Sequence, residues 1–297
     1  MIRPPAEVLP GYGAEPGFAG PSPIIDPGAD VRIAVHGASG RMGQSVIRLA
    51  ASEGAALVGA IVSPGSSALG RDAGEVAGAG VAGVEVTADT ASGLLGADVV
   101  IDFSTAAALP RLLQLAARAR VAVVSGTTRP DAAGERLLDE AAKVVPVLWA
   151  PNTSVGMQVL AELVTLAARQ LGLGFDVEIV EAHHRAKVDA PSGTAERLRQ
   201  AVTEARPELH PVYGREGNVG PRASGEIAVL ALRGGDVIGE HTVHFLGQGE
   251  RLELTHRATS RDLFARGALR AARFVRSLPA GRYTMADVID GRASPRG

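Results

Sequence analysis

Residues Val31-Arg-Ile-Ala-Val-His-Gly-Ala-Ser-Gly-Arg-Met-Gly43 carry the clearest indication of how this chain folds. The first six predict a β-strand, and residues 41–52 predict a helix. Between them lies a G-x-x-G-x-x-G spacing, whose glycines allow a tight turn and a close approach of the backbone to a pyrophosphate. Alone, this spacing also suits a purely structural turn. Because a strand precedes it and a helix follows it, we interpret it as a dinucleotide-binding loop.

Strands and helices alternate from this loop to residue 149. The segments 98–102 and 121–124 are short and apolar on both faces, as buried parallel strands are. This alternation predicts an α/β fold with a Rossmann-type, doubly wound parallel sheet. The predicted strands are 31–36, 56–62, 84–87, 98–102, 121–124 and 144–149, and the predicted helices are 41–52, 106–119 and 131–143.

The pattern changes after Pro151, where we predict a second, α+β domain with a mixed, mostly open sheet. A helix at 155–171 leads into a strand at 176–181, and three later segments alternate apolar and polar residues. Gly234-Gly235 between the first two of these segments predicts a hairpin. The alternating segments are 224–233, 236–245 and 250–258, followed by a helix at 260–277 and a segment at 283–289 that we expect to return to the first domain.

The composition excludes several classes of protein. With 21% charged residues and a formal net charge of -2, the chain lacks the basic excess of a nucleic-acid-binding protein. It has no cysteine, which excludes disulfides, zinc–thiolate sites and thiol nucleophiles. No apolar run approaches the roughly 20 residues of a membrane span, and the N-terminus lacks a secretory signal pattern. We therefore expect a cytoplasmic protein without a nucleic-acid or membrane partner.

The stretch His183-His-Arg-Ala-Lys187 places two imidazoles, a guanidinium and an ammonium within five positions. A β-rich run precedes it, and Pro191-Ser-Gly-Thr194 opens a helix-like segment at 195–202. A helix start supplies free N–H groups and partial positive charge, so the whole arrangement predicts a site for a small multivalent anion. His and Lys also transfer protons near neutral pH once their pKa values are tuned. The alternative is a solvated basic surface loop.

Further loops follow predicted strands of the first domain at 102–105, 125–128 and 150–153. Ligands of open α/β sheets bind at the carboxyl ends of the strands. The hydroxyls, amide and exposed backbone of the second and third loops suit a nicotinamide carboxamide. The first loop, Asp102-Phe-Ser-Thr105, is predicted to be a helix N-cap with some cofactor contact.

The end of the second strand carries no acidic residue that would bind the ribose 2′-hydroxyl of NAD. Without that carboxylate an adenosine 2′-phosphate is not repelled, and Ser63 with Arg41 are candidates to bind one. This favours NADP or the use of both cofactors. The isolated histidines His241, His244 and His256 are interpreted as packed or surface residues, and we expect no metal site.

With these motifs in place, the chain resembles the 4-hydroxy-tetrahydrodipicolinate reductase (dihydrodipicolinate reductase) family over residues 31–289. The most specific motif is Glu181-Ala-His-His-Arg-Ala-Lys-Val-Asp-Ala-Pro-Ser-Gly-Thr194. The glycine-rich loop at 37–43 supports the resemblance, as do 126–128, 150–156, 214–217 and 239–242. Family members that use NADH well often have an acidic residue where this chain has Val62 and Ser63, which leaves the choice between NADH and NADPH open.

The resemblance implies an oxidoreductase that reduces 4-hydroxy-tetrahydrodipicolinate to tetrahydrodipicolinate with NADPH or NADH, releasing water, in lysine biosynthesis through diaminopimelate. It implies a dicarboxylate substrate and a homotetramer formed through the second-domain sheets. The implied catalytic residues are His183 and Lys187, with His184, Arg185, Ser192, Gly193 and Thr194 at the substrate. The implied cofactor-binding residues are Gly37, Ala38, Ser39, Gly40, Arg41, Met42, Gly126, Thr127, Thr128, Ala150, Pro151, Asn152 and Thr153. Ser63 is a further cofactor candidate from its place at the end of the second strand.

We thus expect a disordered or loosely attached extension at 1–30 and a dinucleotide-binding domain at 31–153, completed by about 265–297. A substrate-binding and oligomerisation domain is expected at 154–264, with hinges near 152–156 and 260–264.

Several alternatives stay open at this point. The proximal proton donor is either His183 or Lys187, since two close cations titrate as a coupled pair. The other functions considered are a related imine or amino-acid dehydrogenase on the same fold and a catalytically silent nucleotide-binding protein.

Overall fold

The computed structural model describes residues 31–128 and 132–291. The predicted extension at 1–30 falls outside these residues, as do the last six residues of the chain. No helix in the described part is long and apolar enough to cross a membrane.

The strands form two separate sheets, one of seven strands and one of five. They are β1 Val31–His36, β2 Ala55–Ile61, β3 Val86–Thr87, β4 Val99–Asp102, β5 Ala122–Ser125, β6 Pro146–Trp149, β7 Asp176–His183, β8 His210–Val212, β9 Glu226–Arg233, β10 Gly239–Leu246, β11 Arg251–Ala258 and β12 Gly281–Tyr283. The α-helices are α1 Arg41–Leu49, α2 Ala73–Ala77, α3 Thr90–Gly93, α4 Leu109–Ala119, α5 Ala132–Ala142, α6 Val155–Leu171, α7 Gly193–Ala205, α8 Asp262–Val275 and α9 Met285–Asp290.

The seven-stranded sheet is parallel throughout, in the order β12-β6-β5-β4-β1-β2-β3. Helices α1 and α8 share a buried apolar cluster with one face, while α4 and α5 share another with the opposite face. Every residue of β4 and β5 is buried, which explains why neither strand alternates in sequence. The predicted α/β fold with a doubly wound parallel sheet is confirmed.

The chain returns to this sheet near its C-terminal end. Strand β12 pairs with β6, and α8 packs against α1, β4 and β5. Gly267 in α8 lies so close to the loop after β6 that a Cβ there would be 1.7 Å from the carbonyl oxygen of Thr153. The Thr153 hydroxyl also donates to the carbonyl of Phe264 at 2.7 Å. These contacts fix the start of α8 to the segment that leads into α6.

The five-stranded sheet is mixed, in the order β11-β10-β7-β9-β8. The predicted hairpin at Gly234-Gly235 is wrong, because β7 lies between β9 and β10, parallel to the former and antiparallel to the latter. The connection crosses the end of β7. There the Gly234 N–H donates to the carbonyl of His183, and the Arg185 N–H donates to that of Gly235.

One face of this second sheet packs against α6 and α7, where Leu160, Val164, Leu198 and Val202 meet Ile179, Val243 and Phe245. The residues of β7 and β10 alternate between this buried face and the opposite, partly exposed one. The sheet is therefore open on one side, as predicted from the period-two pattern.

Candidate active site

A cavity of about 340 Å³ lies between the carboxyl ends of the first sheet and one end of the second. It contains residues of both predicted sites, the dinucleotide loop and the His-rich loop. The predicted site residues that line it are Arg41, Met42, Gly126, Thr128, Pro151, Asn152, Thr153, His183, His184, Lys187 and Thr194. The nine further lining residues include Phe103, Gly239, His241, His256, Arg261 and Phe264.

Strand β7 brings Glu181 and His183 to the site. Residues two apart on a strand share a face, and these two lie on the face covered by α6 and α7. The register of the sheet places His241 of β10 opposite Glu181, and Arg233 of β9 opposite His183. Three ionisable groups from three strands thus surround the predicted catalytic histidine.

The Glu181 carboxylate is fully buried and has four donors. His183 Nδ1 lies 2.6 Å from Oε2, and the guanidinium of Arg233 donates to both oxygens at 2.8 Å. The N–H of Ser192, just before α7, donates to Oε1 at 3.0 Å. Burial acts to raise the pKa of this carboxyl, but the hydrogen bonds from the imidazole, guanidinium and amide outweigh it and lower the pKa to about 2. Glu181 is therefore ionised.

His241 packs edge-on against His183, with ring centroids 5.2 Å apart. Its Nε2 lies 3.1 Å from the Ser192 hydroxyl oxygen, which also accepts the Ala195 N–H as the N-cap of α7. Burial and then the positive charge that His183 can carry lower the pKa of His241 to about 3. His241 is therefore neutral near pH 7 and contributes no charge of its own to the cavity.

Lys187 and the start of α7 complete the side of the cavity next to the five-stranded sheet. The Lys187 ammonium lies 2.8 Å from a carboxylate oxygen of Asp189. Thr194, in the first turn of α7, accepts a hydrogen bond from the side-chain amide of Asn152 at 3.1 Å, which joins the loop after β6 to α7 across the cavity. The helix start adds the partial positive charge that an anionic group needs.

The glycine-rich loop fits the pyrophosphate of a dinucleotide. Gly37 has a φ of +82°, and a Cβ there would lie 2.7 Å from the carbonyl oxygen of Phe103. A Cβ on Gly43 would lie 2.2 Å from the Gly37 carbonyl oxygen, so the turn and the helix start need glycine at both places. The N-cap of α1 is Gly40, which offers no side-chain acceptor to the first turn. The N–H groups of the first turn of α1 are thus left to a ligand.

The loop that begins at Asp102 was predicted to cap a helix, but Asp102 does not do so. Helix α4 begins at Leu109, with Ala108 as its N-cap. The buried Asp102 carboxylate instead accepts hydrogen bonds from within the sheet edge, where short polar side chains surround it. The loop at 102–105 lies at the cavity, where Phe103 lines it, but Asp102 holds the sheet edge together instead of capping a helix.

Ten predicted site residues do not line the cavity. The cofactor candidates among them are Gly37, Ala38, Ser39, Gly40, Ser63, Thr127 and Ala150, and the substrate candidates are Arg185, Ser192 and Gly193. The Thr127 hydroxyl is bound to Asp102, and the Ser192 hydroxyl caps α7, so both side chains have structural partners. Arg185 and Ser63 are exposed. The roles of these residues stay predictions.

Some residues around the site were not singled out in the sequence. Glu181 belongs to the quoted motif, and the two-residue spacing to His183 was the signal for a shared face. His241 looked like an isolated packed histidine, and it is packed, but against His183. Arg233 and Arg261 carried no local signal, because strand register and helix placement bring them to the site.

Comparison with known proteins agrees with this geometry. Family models described as dihydrodipicolinate reductase, N-terminus, and dihydrodipicolinate reductase, C-terminus, match residues 31–153 and 156–289. The chain belongs to the dihydrodipicolinate reductase family. The predicted family and its enzyme class, an NAD(P)H-dependent oxidoreductase, are therefore confirmed, and a small-molecule substrate is consistent with that class.

Curated members of the dihydrodipicolinate reductase family are similar over most of their length. The 4-hydroxy-tetrahydrodipicolinate reductase of Anaeromyxobacter dehalogenans (strain 2CP-1) is 52% identical over 264 residues, 87% of this chain and 97% of that protein. The one from Acinetobacter baumannii (strain AYE) is 48% identical over 261 residues, 87% of this chain and 96% of that protein.

Among solved structures, dipicolinate-bound dihydrodipicolinate reductase from Paenisporosarcina sp. TG-14 superimposes with a TM-score of 0.68 at 25% identity. The superposition covers 86% of this chain and 97% of the Paenisporosarcina chain. An amine dehydrogenase from Mycobacterium smegmatis, with a TM-score of 0.60 at 15% identity over 91% of this chain and 98% of that one, shares the fold alone. Within residues 31–128 and 132–291, no cluster of ligands able to hold a metal ion is found.

Proposed function

We propose that the chain reduces 4-hydroxy-tetrahydrodipicolinate to tetrahydrodipicolinate with NADH or NADPH, releasing water, in the diaminopimelate route to lysine. The observation that carries this proposal is a single cavity lined both by the start of α1 and by His183 and Lys187. A hydride source and a proton source then act on one substrate. The names of the relatives support the same reaction.

A bound nicotinamide would supply a hydride to the substrate ring. Gly126, Thr128 and the loop at 150–153 would hold its carboxamide, and the first turn of α1 would hold the pyrophosphate. Met42 and Phe103 give the same end of the cavity an apolar lining.

Besides the hydride, the carbon skeleton of the substrate takes up a proton, which comes from the His-rich loop. Glu181 accepts the Nδ1 hydrogen of His183 and so directs Nε2 toward the substrate side. Gly239 has no side chain to cover that atom, since a Cβ there would lie 3.1 Å from Nε2. The Lys187 ammonium is a second proton donor nearby, and its charge neutralises a substrate carboxylate.

The second carboxylate is assigned to the start of α7. Gly193 and Thr194 present N–H groups and a hydroxyl there, and His184 lines the adjoining wall. Arg185 is exposed in this conformation. We propose that it approaches the substrate when the domains close about hinges near 152–156 and 260–264.

The assembly is proposed from the fold and the family. We propose a dinucleotide-binding domain at 31–153, completed by the chain beyond about 265, and a substrate-binding domain at 154–264. The open face of the second sheet, where Leu232 is 58% exposed, is the proposed surface for a homotetramer. A biosynthetic reductase with these ligands acts in the cytoplasm and needs no nucleic-acid or membrane partner.

The test is oxidation of NADH and of NADPH by the purified chain, followed by the loss of absorbance of the reduced nicotinamide. The substrate is supplied in place as the product of a dihydrodipicolinate synthase and its own reactants. We expect oxidation with at least one cofactor, dependent on all components of that mixture. No oxidation with either cofactor would sink the proposal. Turnover with a simple imine or amino-acid substrate would indicate the related dehydrogenase, and cofactor binding without any turnover would indicate a silent nucleotide-binding protein.

A further inference from the structure

A buried polar group lies at the carboxyl ends of β1, β4 and β5, where the sheet interior is otherwise apolar. His36 ends β1 and is 7% exposed, while Asp102 and Ser125, which end β4 and β5, are fully buried. Thr127, two residues beyond β5, is buried as well. Central strands of a parallel sheet favour apolar residues, because buried charge must be paired to be tolerated. Packing alone therefore does not explain why these four polar side chains are buried here.

Asp102 is the centre of the group. Its Oδ1 accepts His36 Nδ1 at 2.8 Å and the Ser104 N–H at 3.1 Å, and its Oδ2 accepts the hydroxyls of Ser125 and Thr127, each at 2.7 Å. Burial acts to raise the pKa of this carboxyl, but the hydrogen bonds, with that from His36 the largest, lower it overall. The carboxylate is ionised, and His36 is its partner from β1.

The three loops that the group connects fit against one another closely. The Phe103 N–H donates to the His36 carbonyl at 3.0 Å, and the Gly126 N–H donates to the Asp102 carbonyl at 2.8 Å. A Cβ on Gly126 would lie 2.1 Å from the Phe103 ring, and a Cβ on Gly37 would lie 2.7 Å from the Phe103 carbonyl oxygen. Displacement of the loop after β4 therefore moves the loops after β1 and β5.

These loops form the cofactor end of the cavity. Phe103, Gly126 and Thr128 line it directly, and Gly37 begins the turn that leads into α1. We propose that His36 is a positioning residue for the dinucleotide: by holding Asp102, it fixes the loops that receive the pyrophosphate and the nicotinamide.

The test compares two substitutions at position 36. His36→Leu introduces an apolar side chain of similar length and leaves the Asp102 carboxylate one donor short, whereas His36→Asn keeps a side-chain N–H near the Nδ1 position. The dissociation constant of NADPH is measured by fluorescence titration without substrate, and KM and kcat are measured separately. His210→Leu, an exposed histidine of β8 outside the cavity, serves as the matched control.

We expect His36→Leu to raise the dissociation constant and the cofactor KM about tenfold or more, as loss of a partner to a buried charge predicts. The kcat at saturating cofactor should stay within about twofold of the wild type, because His183 and Lys187 are untouched. His36→Asn should recover most of the affinity, and His210→Leu should match the wild type. Far-UV circular dichroism confirms that each variant is folded.

An unchanged dissociation constant in folded His36→Leu overturns the inference, and so does an equal loss in His36→Leu and His36→Asn. If His36→Leu does not fold, His36→Ala takes its place, and equal constants for the Ala and Asn variants overturn it. The inference rests on the dinucleotide part of the proposed function. A failure of the reaction itself would appear as no oxidation by the wild type, whereas these titrations need no substrate.

Discussion

Oε2 of Glu181 lies 2.6 Å from Nδ1 of His183, and the carboxylate is held from two other sides by Arg233 and the start of α7. An ionised carboxylate accepts only, so Nδ1 carries the hydrogen in neutral His183, and Nε2 is the ring nitrogen that is left for a ligand. The tautomer and the ring orientation of the predicted catalytic histidine are thus set by a residue two positions earlier on the same strand.

Glu181→Gln tests this relationship. The amide retains the shape of the side chain but loses the negative charge that accepts the Nδ1 hydrogen of His183, and it leaves Arg233 without a carboxylate. We expect kcat to fall roughly 10- to 100-fold, with the dissociation constant of NADPH unchanged. The measurement is steady-state kinetics at saturating cofactor beside a substrate-free titration. A kcat equal to that of the wild type would contradict the role assigned to Glu181.

His241 should make folding depend on pH between 7 and 5. Its pKa is about 3 in the folded protein and 6.5 in the unfolded chain, so below pH 6.5 the unfolded chain binds a proton that the folded protein does not. Stability is therefore lost as the pH falls. From pH 6 to pH 5 the wild type should lose about 1 kcal/mol more than His241→Asn. Urea unfolding at fixed protein concentration measures both slopes, and parallel slopes would show that His241 titrates normally.

Lys187 is unusual in this chain. Of its 30 lysines and arginines, only Lys143 and Lys187 are lysines. An arginine binds a carboxylate well but does not give up its proton, whereas a lysine can do both. Lys187→Ala should cut turnover by a factor of about 100 or more while cofactor affinity stays nearly unchanged.

Lys143→Ala is the natural control, because Lys143 lies on the surface and pairs with Glu140 at 2.6 Å. It should retain full activity. Lys187→Arg separates the two roles of the ammonium. If charge alone matters, the arginine variant recovers the rate, and if proton transfer matters, it does not. A normal rate in Lys187→Ala would remove this residue from the mechanism.

Much of the fold was readable from local patterns. The apolar segments at 98–102 and 121–124 predicted buried strands, and β4 and β5 are buried on both faces. The helix predicted at 155–171 coincides with α6. The Gly234-Gly235 hairpin failed for a physical reason. A period of two tells which face of a strand is buried, but not which strand lies beside it, and β7 enters between β9 and β10 from 50 residues away in the chain.

The site was readable in part for the same reason. His183 and Lys187 lie in one dense ionisable loop, so their chemistry shows in the sequence. His241 stands alone in an alternating strand, and only the register with β7 brings it opposite Glu181. Asp102 was recognised as a polar strand end, yet its partner His36 lies 66 residues earlier, at the end of a strand that pairs with β4 in parallel. Long-range pairing of strands decides such contacts.

Gly267 should not tolerate a side chain. A Cβ there would lie 1.7 Å from the Thr153 carbonyl oxygen, a backbone atom that cannot rotate away. Gly267→Ala should therefore destabilise the protein by about 2 kcal/mol or more, despite the better helix propensity of alanine. Gly174→Ala is the control, since nothing lies within 4 Å of its Cβ position. Equal unfolding midpoints for the two variants would contradict the close packing of α8 on the loop after β6.

Ser63 offers the sharpest test of cofactor choice. It is exposed just beyond β2, where an acidic residue would bind the ribose 2′-hydroxyl of NADH and repel the 2′-phosphate of NADPH. With Ser63 neutral, the wild type should use NADPH at least as well as NADH. Ser63→Glu should lower kcat/KM for NADPH about tenfold or more, because two negative charges then meet at close range, and should leave NADH nearly unaffected.

Ser52→Glu, at an exposed serine three residues beyond the end of α1, controls for the added charge itself. The effect of Ser63→Glu should also weaken in high salt, which screens charges at an exposed site. If Ser63→Glu lowers kcat/KM for NADH and for NADPH equally, the end of β2 does not discriminate between the 2′-hydroxyl and the 2′-phosphate. Cofactor choice would then have to be set elsewhere in the cavity, with the exposed Arg41 at the start of α1 the next residue to substitute.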